Sequence, residues 1–393
     1  MNEKRTIVIT CAPHISQILA EEVKALGYPV KASSILEVTT EGSLKDCMYL
    51  NLHLRTAHRV LYQIKRFRSA NADQLYRQLR TIAWKDYIPA SSYFSVSSFV
   101  KNPSIRDTRF ANLKVKDAIV DHLQDRYGKR PDSGPRQDQI VVFLHWKDRE
   151  AGIFLDTSGE SIARHSYRKV TVEAPMQEAL AAAIVKSTKW NVELPFVNPM
   201  CGSGTLAIEA ALLKVNKAPG LLRTNFAFMH LKTFDQKVWE DMRFEASKTF
   251  KKSINAYTNQ LPSIIATDRD PQAIMAARQN AAKAGVAGLI RFEISEFSET
   301  ELPPAPDEQD GKAVVVINPP YGERLGEEQQ LAELYKEMGD FFKQKCAGYQ
   351  GYIFTGNLNL SKQVGLRTRR RMEFLNGKID SRLLEYELYT GKR

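Results

Sequence analysis

Apolar positions along the chain follow two different rhythms, and the change between them near residue 175 marks a change of architecture. In the first part strands and helices mix irregularly. "RTIVIT" over 5–10 predicts a strand. "PHISQILAEEVKALG" then sets Ile15, Ile18, Leu19, Val23 and Leu26 on one helical face and stops at Gly27, a residue suited to a C-cap. A second helix is expected over roughly 43–57, an alternating strand over 59–67, and a further helix carrying Leu75, Leu79 and Ile82. In "YFSVSSFV" (93–100), Phe94, Val96, Ser98 and Val100 share one side, as in a half-buried strand. A long amphipathic helix near 108–128 and two strands, 139–146 and 149–157, joined by a charged turn complete a mixed α+β region. Beyond 175 the order becomes regular. The helix "APMQEALAAAIVKSTKW", with Pro175 at its start, is followed by "PFVNP", "TLAIEAALL", "SIIATD", "PQAIMAARQNAAKAG", "LIRFEIS", "AVVVINP", "LAELYKEMGDFFKQ" and "YIFTGN". Short apolar strands alternating with helices predict an α/β fold with a mostly parallel, doubly wound sheet, whose ligands sit beyond the carboxyl ends of the strands.

Composition narrows the picture. The 393 residues exceed one ordinary core, so two or three domains are expected, and 43% hydrophobic with 26% charged residues fits a globular chain. No apolar run approaches the roughly 18 residues needed to cross a bilayer, and the N-terminus is too polar for a signal peptide, so a cytoplasmic location and no membrane are expected. Cys11, Cys47, Cys201 and Cys346 lie far apart without a CxxC pair, which argues against a disulfide framework and against metal. A net charge of +11 and a pI of about 9.3 favour a polyanionic partner. Basic residues cluster beside aromatics: Arg55, Arg59, Lys65, Arg66 and Arg68 near Tyr62 and Phe67, then Arg106, Arg109, Lys114 and Lys116 near Phe110. A positive surface with stacking rings suits RNA, and Arg66, Arg68, Arg109 and Lys114 are candidate contacts. Solvated helix faces are the plain alternative.

Chemistry concentrates at the strand ends of the second part. "NPMCGSGTLAIEAALL" (198–213) reads as strand end, glycine turn and helix. Gly202 and Gly204 allow a close backbone approach, and the helix start offers free N–H groups. The same residues satisfy the loose G-x-G-x-x-A dinucleotide pattern, and a turn without any ligand is also open. In "ATDRDPQA", Asp268 is placed to accept from a ribose diol, whereas Asp270 before Pro271 reads as a helix N-cap. Glu296 could accept from an adenine amine. In "AVVVINPPYGERLG" (313–326) a buried strand ends in Asn318-Pro319-Pro320-Tyr321. The Asn318 side chain and the Pro319 carbonyl can accept both protons of an exocyclic base amine, leaving its lone pair free to attack. The prolines fix those acceptors, and Tyr321 gives the base a flat surface. A sulfonium methyl held at the glycine turn would complete the pair, so the motifs together indicate S-adenosyl-L-methionine-dependent amine methylation.

These residues resemble the bacterial 23S rRNA guanine-N2 methyltransferases that carry a THUMP domain. The resemblance spans nearly the whole chain. It rests on "DTSGESIARHSYRKVTVEAPMQEALAAAIV" (156–185), the glycine turn, "KAPGLLRTNFAF" (217–228), "ATDRDPQAIMAARQNAAKAG", "INPPYGERLG" and "NGKIDSRLLEYELY" (376–389). It implies a ferredoxin-like α/β subdomain at 1–65, an overlapping THUMP RNA-binding module at 44–155, and a Rossmann-like class I methyltransferase domain at 165–393 with an insertion at 214–262. It also implies a cofactor pocket of Asn198, Pro199, Cys201, Gly202, Ser203, Gly204, Thr205, Asp268 and Glu296, bordered by Pro175, Gln177 and Glu178. Asn318, Pro319, Pro320 and Tyr321 would sit at the reacting amine, and Arg164 and Arg168 would add to the RNA surface. The chain departs from the family in having Asn198 where an Asp is usual, Ser295-Glu296 for Gly-Asp, and "SIARHSYR" for "SLHKRGYR". His165 in that stretch is expected at an RNA-facing or other surface. The leading function is methylation of guanine N2 in 23S rRNA, with tRNA as a variant substrate. The alternatives are a DNA adenine-N6 or cytosine-N4 methylase and a non-catalytic RNA-binding ribosome-assembly factor.

Overall fold

A computed structural model describes residues 3–169, 176–257, 260–304, 312–320 and 328–389. The chain divides into two units. The first comprises Met1–Cys11, Leu19–Ile162 and Arg223–Glu245, and the second Ala12–Ile18, Ala163–Leu222 and Ala246–Arg393.

The strands of the first unit are β1 (Arg5–Thr10), β2 (Ala32–Ser33), β3 (Glu37–Gly42), β4 (Arg59–Arg68), β5 (Tyr93–Lys101), β6 (Asp132–Ser133), β7 (Ile140–Lys147) and β8 (Glu150–Asp156), in the order β2-β3-β1-β4-β8-β7-β5-β6. The helices are α1 (Ser16–Ala25, whose first residues fall in the second unit), α2 (Leu44–His53), α3 (Ala72–Arg80) and α4 (Thr108–Tyr127). Their ends follow from local chemistry. Ser43 and Asp46 form a reciprocal capping box at the start of α2, and Gly128 closes α4 in the left-handed region. The second helix stops at His53, short of the expected 57, because Leu54 turns extended before β4 begins. Leu144 and Trp146 on β7 and Ile153 on β8 are buried on one side of the sheet. Trp146 donates its indole N–H to Ser69 O at 3.1 Å and buried Trp84 donates to Leu79 O at 2.9 Å, so neither ring leaves a polar group stranded.

The second unit is built on β9 (Phe196–Pro199), β10 (Ile264–Asp268), β11 (Ile290–Ile294), β12 (Val314–Ile317), β13 (Gln350–Thr355), β14 (Arg370–Asn376) and β15 (Ile379–Glu387), in the order β11-β10-β9-β12-β13-β15-β14. The first five strands are parallel, and β15 runs antiparallel to both β13 and β14. The helices are α5 (Glu178–Ser187), α6 (Thr205–Lys214), α7 (Gln236–Tyr257, its first half in the first unit), α8 (Pro271–Ala284) and α9 (Glu328–Lys345). β12 reads Val-Val-Val-Ile and is buried at every position, as a central strand covered on both faces must be. Val315, Ile317, Tyr335, Met338, Phe342 and Ile353 belong to one continuous core. Residues Arg223–Glu245, which the sequence placed in an insertion of the methyltransferase domain, group with the first unit. There Asn225 donates to Asp138 O at 2.6 Å and Phe228 N donates to Thr157 O at 3.1 Å.

The backbone passes close to α9 at Gly339, where an added Cβ would lie 1.8 Å from the carbonyl oxygen of Val364. Gly339→Ala should therefore destabilise the second unit by about 3 kcal/mol, read as a lowered melting temperature and urea midpoint.

Candidate functional site

β9 leads into the turn Met200–Gly204 and then directly into α6. Gly204 serves as the N-cap at φ 79°, and no side chain caps the helix, so the first N–H groups of α6 are open to a ligand. A Cβ at Gly204 would meet the Ala277 Cβ of α8 at 2.8 Å, so this glycine is required by sterics as well as by φ. Gly202 sits at φ 53° with open space where a Cβ would be. Two side chains hold the turn in place. Asp268, the last residue of β10, accepts the Gly202 N–H at 2.8 Å through Oδ2 and the Asp270 N–H at 3.0 Å through Oδ1. Asn280 of α8 donates to Ser203 O at 3.3 Å. Asp270 accepts from Gln272 N at 2.8 Å with Pro271 at the first helical position, the capping role read from sequence.

Asn198 is fully buried. Its amide donates to Val316 O at 2.8 Å, tying the end of β9 to β12. That bond fixes the amide orientation, since the reverse would set two acceptors against each other. Its Oδ1 is buried without a protein partner on the wall of a cavity of about 340 Å³.

This cavity brings together Asn198, Cys201, Gly202, Ser203, Thr205, Asp268, Glu296, Asn318 and Pro320 from the sequence candidates. Pro199, Gly204 and Pro319 support it without lining it, and Pro319 is buried. Pro175 and Tyr321 lie outside the described residues. Gln177 and Glu178 do not line it either: Gln177 is the N-cap of α5, and buried Glu178 faces Arg168 at 3.5 Å. Met176 takes the lining place next to them. Met200, Arg269, Phe297, Leu334 and Glu337 also line the cavity and were not anticipated. Met200 adopts a positive φ of 53°, which no motif announces in a non-glycine residue, and Leu334 and Glu337 arrive on α9 from far along the chain.

Two expectations are corrected. Arg168 does not face outward. It is largely buried, donates to Met176 O at 2.5 Å and to Thr205 Oγ1 at 3.4 Å, and so braces the segment before α5 against the start of α6. His165 is completely buried and meets Glu209 Oε1 at 2.8 Å through Nδ1, a core pair rather than a surface residue. Of the other RNA candidates, Arg66, Arg68, Arg109 and Arg164 are exposed, and Lys114 lies over the Phe110 ring at 5.6 Å. No group of metal-ligating residues occurs among the described residues, and no described helix is long and apolar enough to cross a membrane.

The donor set suits S-adenosyl-L-methionine. Uncapped N–H groups answer a carboxylate, the unpartnered Asn198 Oδ1 an ammonium, and Asp268 a diol, since each carboxylate oxygen keeps acceptor capacity beyond its present bond. Cys201 lines the cavity but is no nucleophile. Burial, and then the Asp268 carboxylate, push its thiol well above the ordinary range.

Comparison with known proteins agrees with this geometry. A family model described as the RMKL-like methyltransferase domain matches residues 165–385, an RlmL ferredoxin-like domain matches 6–61, and a THUMP domain matches 69–156. The chain is 37% identical over 383 residues to the ribosomal RNA large subunit methyltransferase K/L of Syntrophotalea carbinolica, covering 96% of this chain and 53% of that protein. It thus spans about half the length of such K/L relatives. A Synechocystis sp. protein, whose name gives RNA methylation as a provisional activity, is 34% identical over 98% of this chain and 97% of its own. Among solved structures, a methyltransferase candidate complexed with S-adenosyl-L-homocysteine superposes with a TM-score of 0.86 at 27% identity, covering 100% of both chains. A Listeria monocytogenes protein named for N6-adenine-specific DNA methylation gives 0.84 at 30% identity, covering 99% of this chain and 97% of that one.

The thiols give a direct check. Burial raises all four cysteines, Cys11 to about 12, so at pH 8 the native chain should resist iodoacetamide while the urea-unfolded chain takes up label at every cysteine, counted by mass spectrometry.

Proposed function

The chain belongs to the RMKL-like methyltransferase family, and from that premise we propose that it methylates the exocyclic N2 amine of a guanine in RNA, with large-subunit ribosomal RNA as substrate. S-adenosyl-L-methionine, when bound, supplies a methyl group activated by its sulfonium. The observation that carries the reading is that Asn318, at the end of β12, lines the same cavity as the glycine turn.

A base amine is a poor nucleophile because its lone pair is delocalised into the ring. Two carbonyl acceptors at Asn318 and Pro319 would hold both amine protons and favour a more tetrahedral nitrogen. Their effect is greatest in the transition state, where positive charge develops on that nitrogen. Pro319 and Pro320 keep these acceptors fixed with little conformational entropy to lose. Tyr321 is proposed from sequence as the stacking surface. Asn318 cannot act as a general base, so the chain contributes orientation and acceptor placement, and the amine proton leaves after transfer.

A net charge of +11 and the THUMP match at residues 69–156 support RNA as the substrate. The same acceptor pair fits an adenine N6 amine in DNA, the reading that the Listeria relative's name favours. Tritiated methyl incorporation into ribosomal RNA, tRNA and duplex DNA separates these, with the highest rate expected on ribosomal RNA. Incorporation into DNA alone would overturn the RNA assignment. Asn318→Ala should lower the transfer rate by about 10²–10³-fold while calorimetric titration shows unchanged affinity for S-adenosyl-L-homocysteine. Full activity in that variant would refute the amine-acceptor mechanism.

A further inference from the structure

Four strands of the first unit carry a row of residues of which only Arg66, a candidate RNA contact, has been given a task. Strand pairing sets Phe99 beside His145, His145 beside Gly152, and Gly152 beside Arg66. Residues directly opposite each other share one face of a sheet, so this row crosses β5, β7, β8 and β4 on a single side. It is the side away from Leu144, Trp146 and Ile153, which are buried. The Phe99 and His145 rings are stacked, with centroids 5.3 Å apart and planes within 13°, yet Phe99 is 51% exposed. A ring held flat at the surface by another ring is unusual for a residue serving only the core.

The neighbouring positions extend the pattern. A Cβ at Gly152 would lie 2.8 Å from Phe154 Cε2, so the Phe154 ring leans over the glycine, although that ring is itself buried. Phe154 in turn meets Phe143 at 6.4 Å. One step along the strands on the same face lie Lys101, Lys147, Glu150 and Arg68. Arg66 and Arg68 are 70% and 77% exposed at their side chains and reach Glu150 at 3.8 and 3.4 Å. Exposed pairs of this kind contribute little and exchange readily for phosphate. Four cations against two carboxylates, Glu150 and the Glu37 that acts on His145, therefore border an aromatic strip. Burial, chiefly, holds His145 below its ordinary range, so the ring stacks uncharged at neutral pH.

We propose that the exposed end of this sheet face, around Phe99 and His145, is a platform on which unpaired bases of single-stranded RNA stack, with the backbone phosphates running along the basic border. A sheet face with exposed rings reads bases through their π-faces, which a duplex keeps hidden between neighbouring pairs. The charge excess selects a polyanion over an apolar protein partner. The proposal rests on RNA being the substrate. It concerns a surface separate from the methyl-transfer cavity, so it can fail independently of the catalytic reading.

The test is fluorescence anisotropy of the full chain with a short labelled single-stranded oligoribonucleotide, across a series of salt concentrations. The Phe99→Ala, His145→Ala double variant should lose roughly fivefold or more in affinity with an unchanged salt slope, whereas Phe99→Trp should retain binding. Lys101→Gln with Lys147→Gln should instead lower the slope of log affinity against log salt by about 1.4. Phe99 and the lysines are exposed, so loss of fold is not expected, and circular dichroism checks it. An aromatic double variant within about twofold of the parent overturns the proposal. So does displacement of the probe by duplex RNA as readily as by unlabelled single strand, or absence of single-strand binding by the parent. A parent that binds the strand but methylates no guanine leaves the platform standing and refutes the N2 reading alone.

Discussion

The candidate site depends on three parallel strands ending at one level. β9 pairs with β10 at Pro199–Thr267 and with β12 at Val197–Val315. Counting on from those pairs sets Met200, Asp268 and Asn318 at one level, one residue past the last β9–β10 pair and three past the last β9–β12 pair. Backbone pairing stops there, and side chains take over the fastening. Asp268 holds Gly202 from one flank, and the Asn198 amide holds Val316 from the other. Asn198, where the family resemblance implies an Asp, acquires a physical meaning at this point. The position is buried and faces a carbonyl at 2.8 Å, where an amide donates and a carboxylate, unless protonated, would repel. The remaining amide oxygen stays available to a cationic ligand group.

Charged residues inside the second unit follow the same logic of fastening. His165 with Glu209, and Arg168 with Glu178 and Thr205, join the stretch before α5 to α6. Breaking one partner of such a buried pair leaves the other uncompensated, which is costlier than the pair is stabilising. The charged members of these pairs act on the site through the position of α6; none of them lines the cavity, whereas Thr205 does. The first unit shows a comparable economy in Asp156. Burial raises its carboxyl above the usual range, while Arg59 and the N–H groups of Ser158 and Gly159 favour its charged form.

What the sequence revealed tracks how locally each feature is encoded. β1, β4, β10 and β12 were legible because each is a short apolar or alternating run bounded by polar residues, and the Asp270–Pro271 cap because both residues act within one helical turn. β14 and β15 were not, because "IDSRLLEYE" is buried at five of its nine positions without regular alternation. The 22-residue helix α7 was hidden in an apparent insertion. Its Trp239 packs on Phe226 and Phe228, contacts that no periodicity discloses. The glycine turn, Asp268 and Asn318 could be gathered into one cleft because strand ends of a parallel sheet face one way. Met200, Leu334 and Glu337 could not, since a strained φ and a distant helix carry no local signature. Arg168 and His165 were misread as surface groups because their partners, Glu178 and Glu209, come from other elements.

The strand order also arranges the chemistry in sequence across the cavity. Reading β11-β10-β9-β12, the lining groups are Glu296, then Asp268, then Asn198 with the open start of α6, then Asn318. Among the groups carried by the strand ends, carboxylates occupy one end and neutral amides the other, while Arg269 and, from α9, Glu337 also reach the cavity. Under the proposed function this gradient matches a ligand with hydrogen-bond donors at its nucleoside end and a cationic sulfur nearer the acceptor base. The neutral carbonyl acceptors proposed at the amine corner answer the positive charge that grows on the amine nitrogen during transfer, and being neutral they do not take its proton as a base. The distribution of charge along the sheet edge therefore supports amine methylation more specifically than the glycine turn does, because a glycine turn alone serves many ligands.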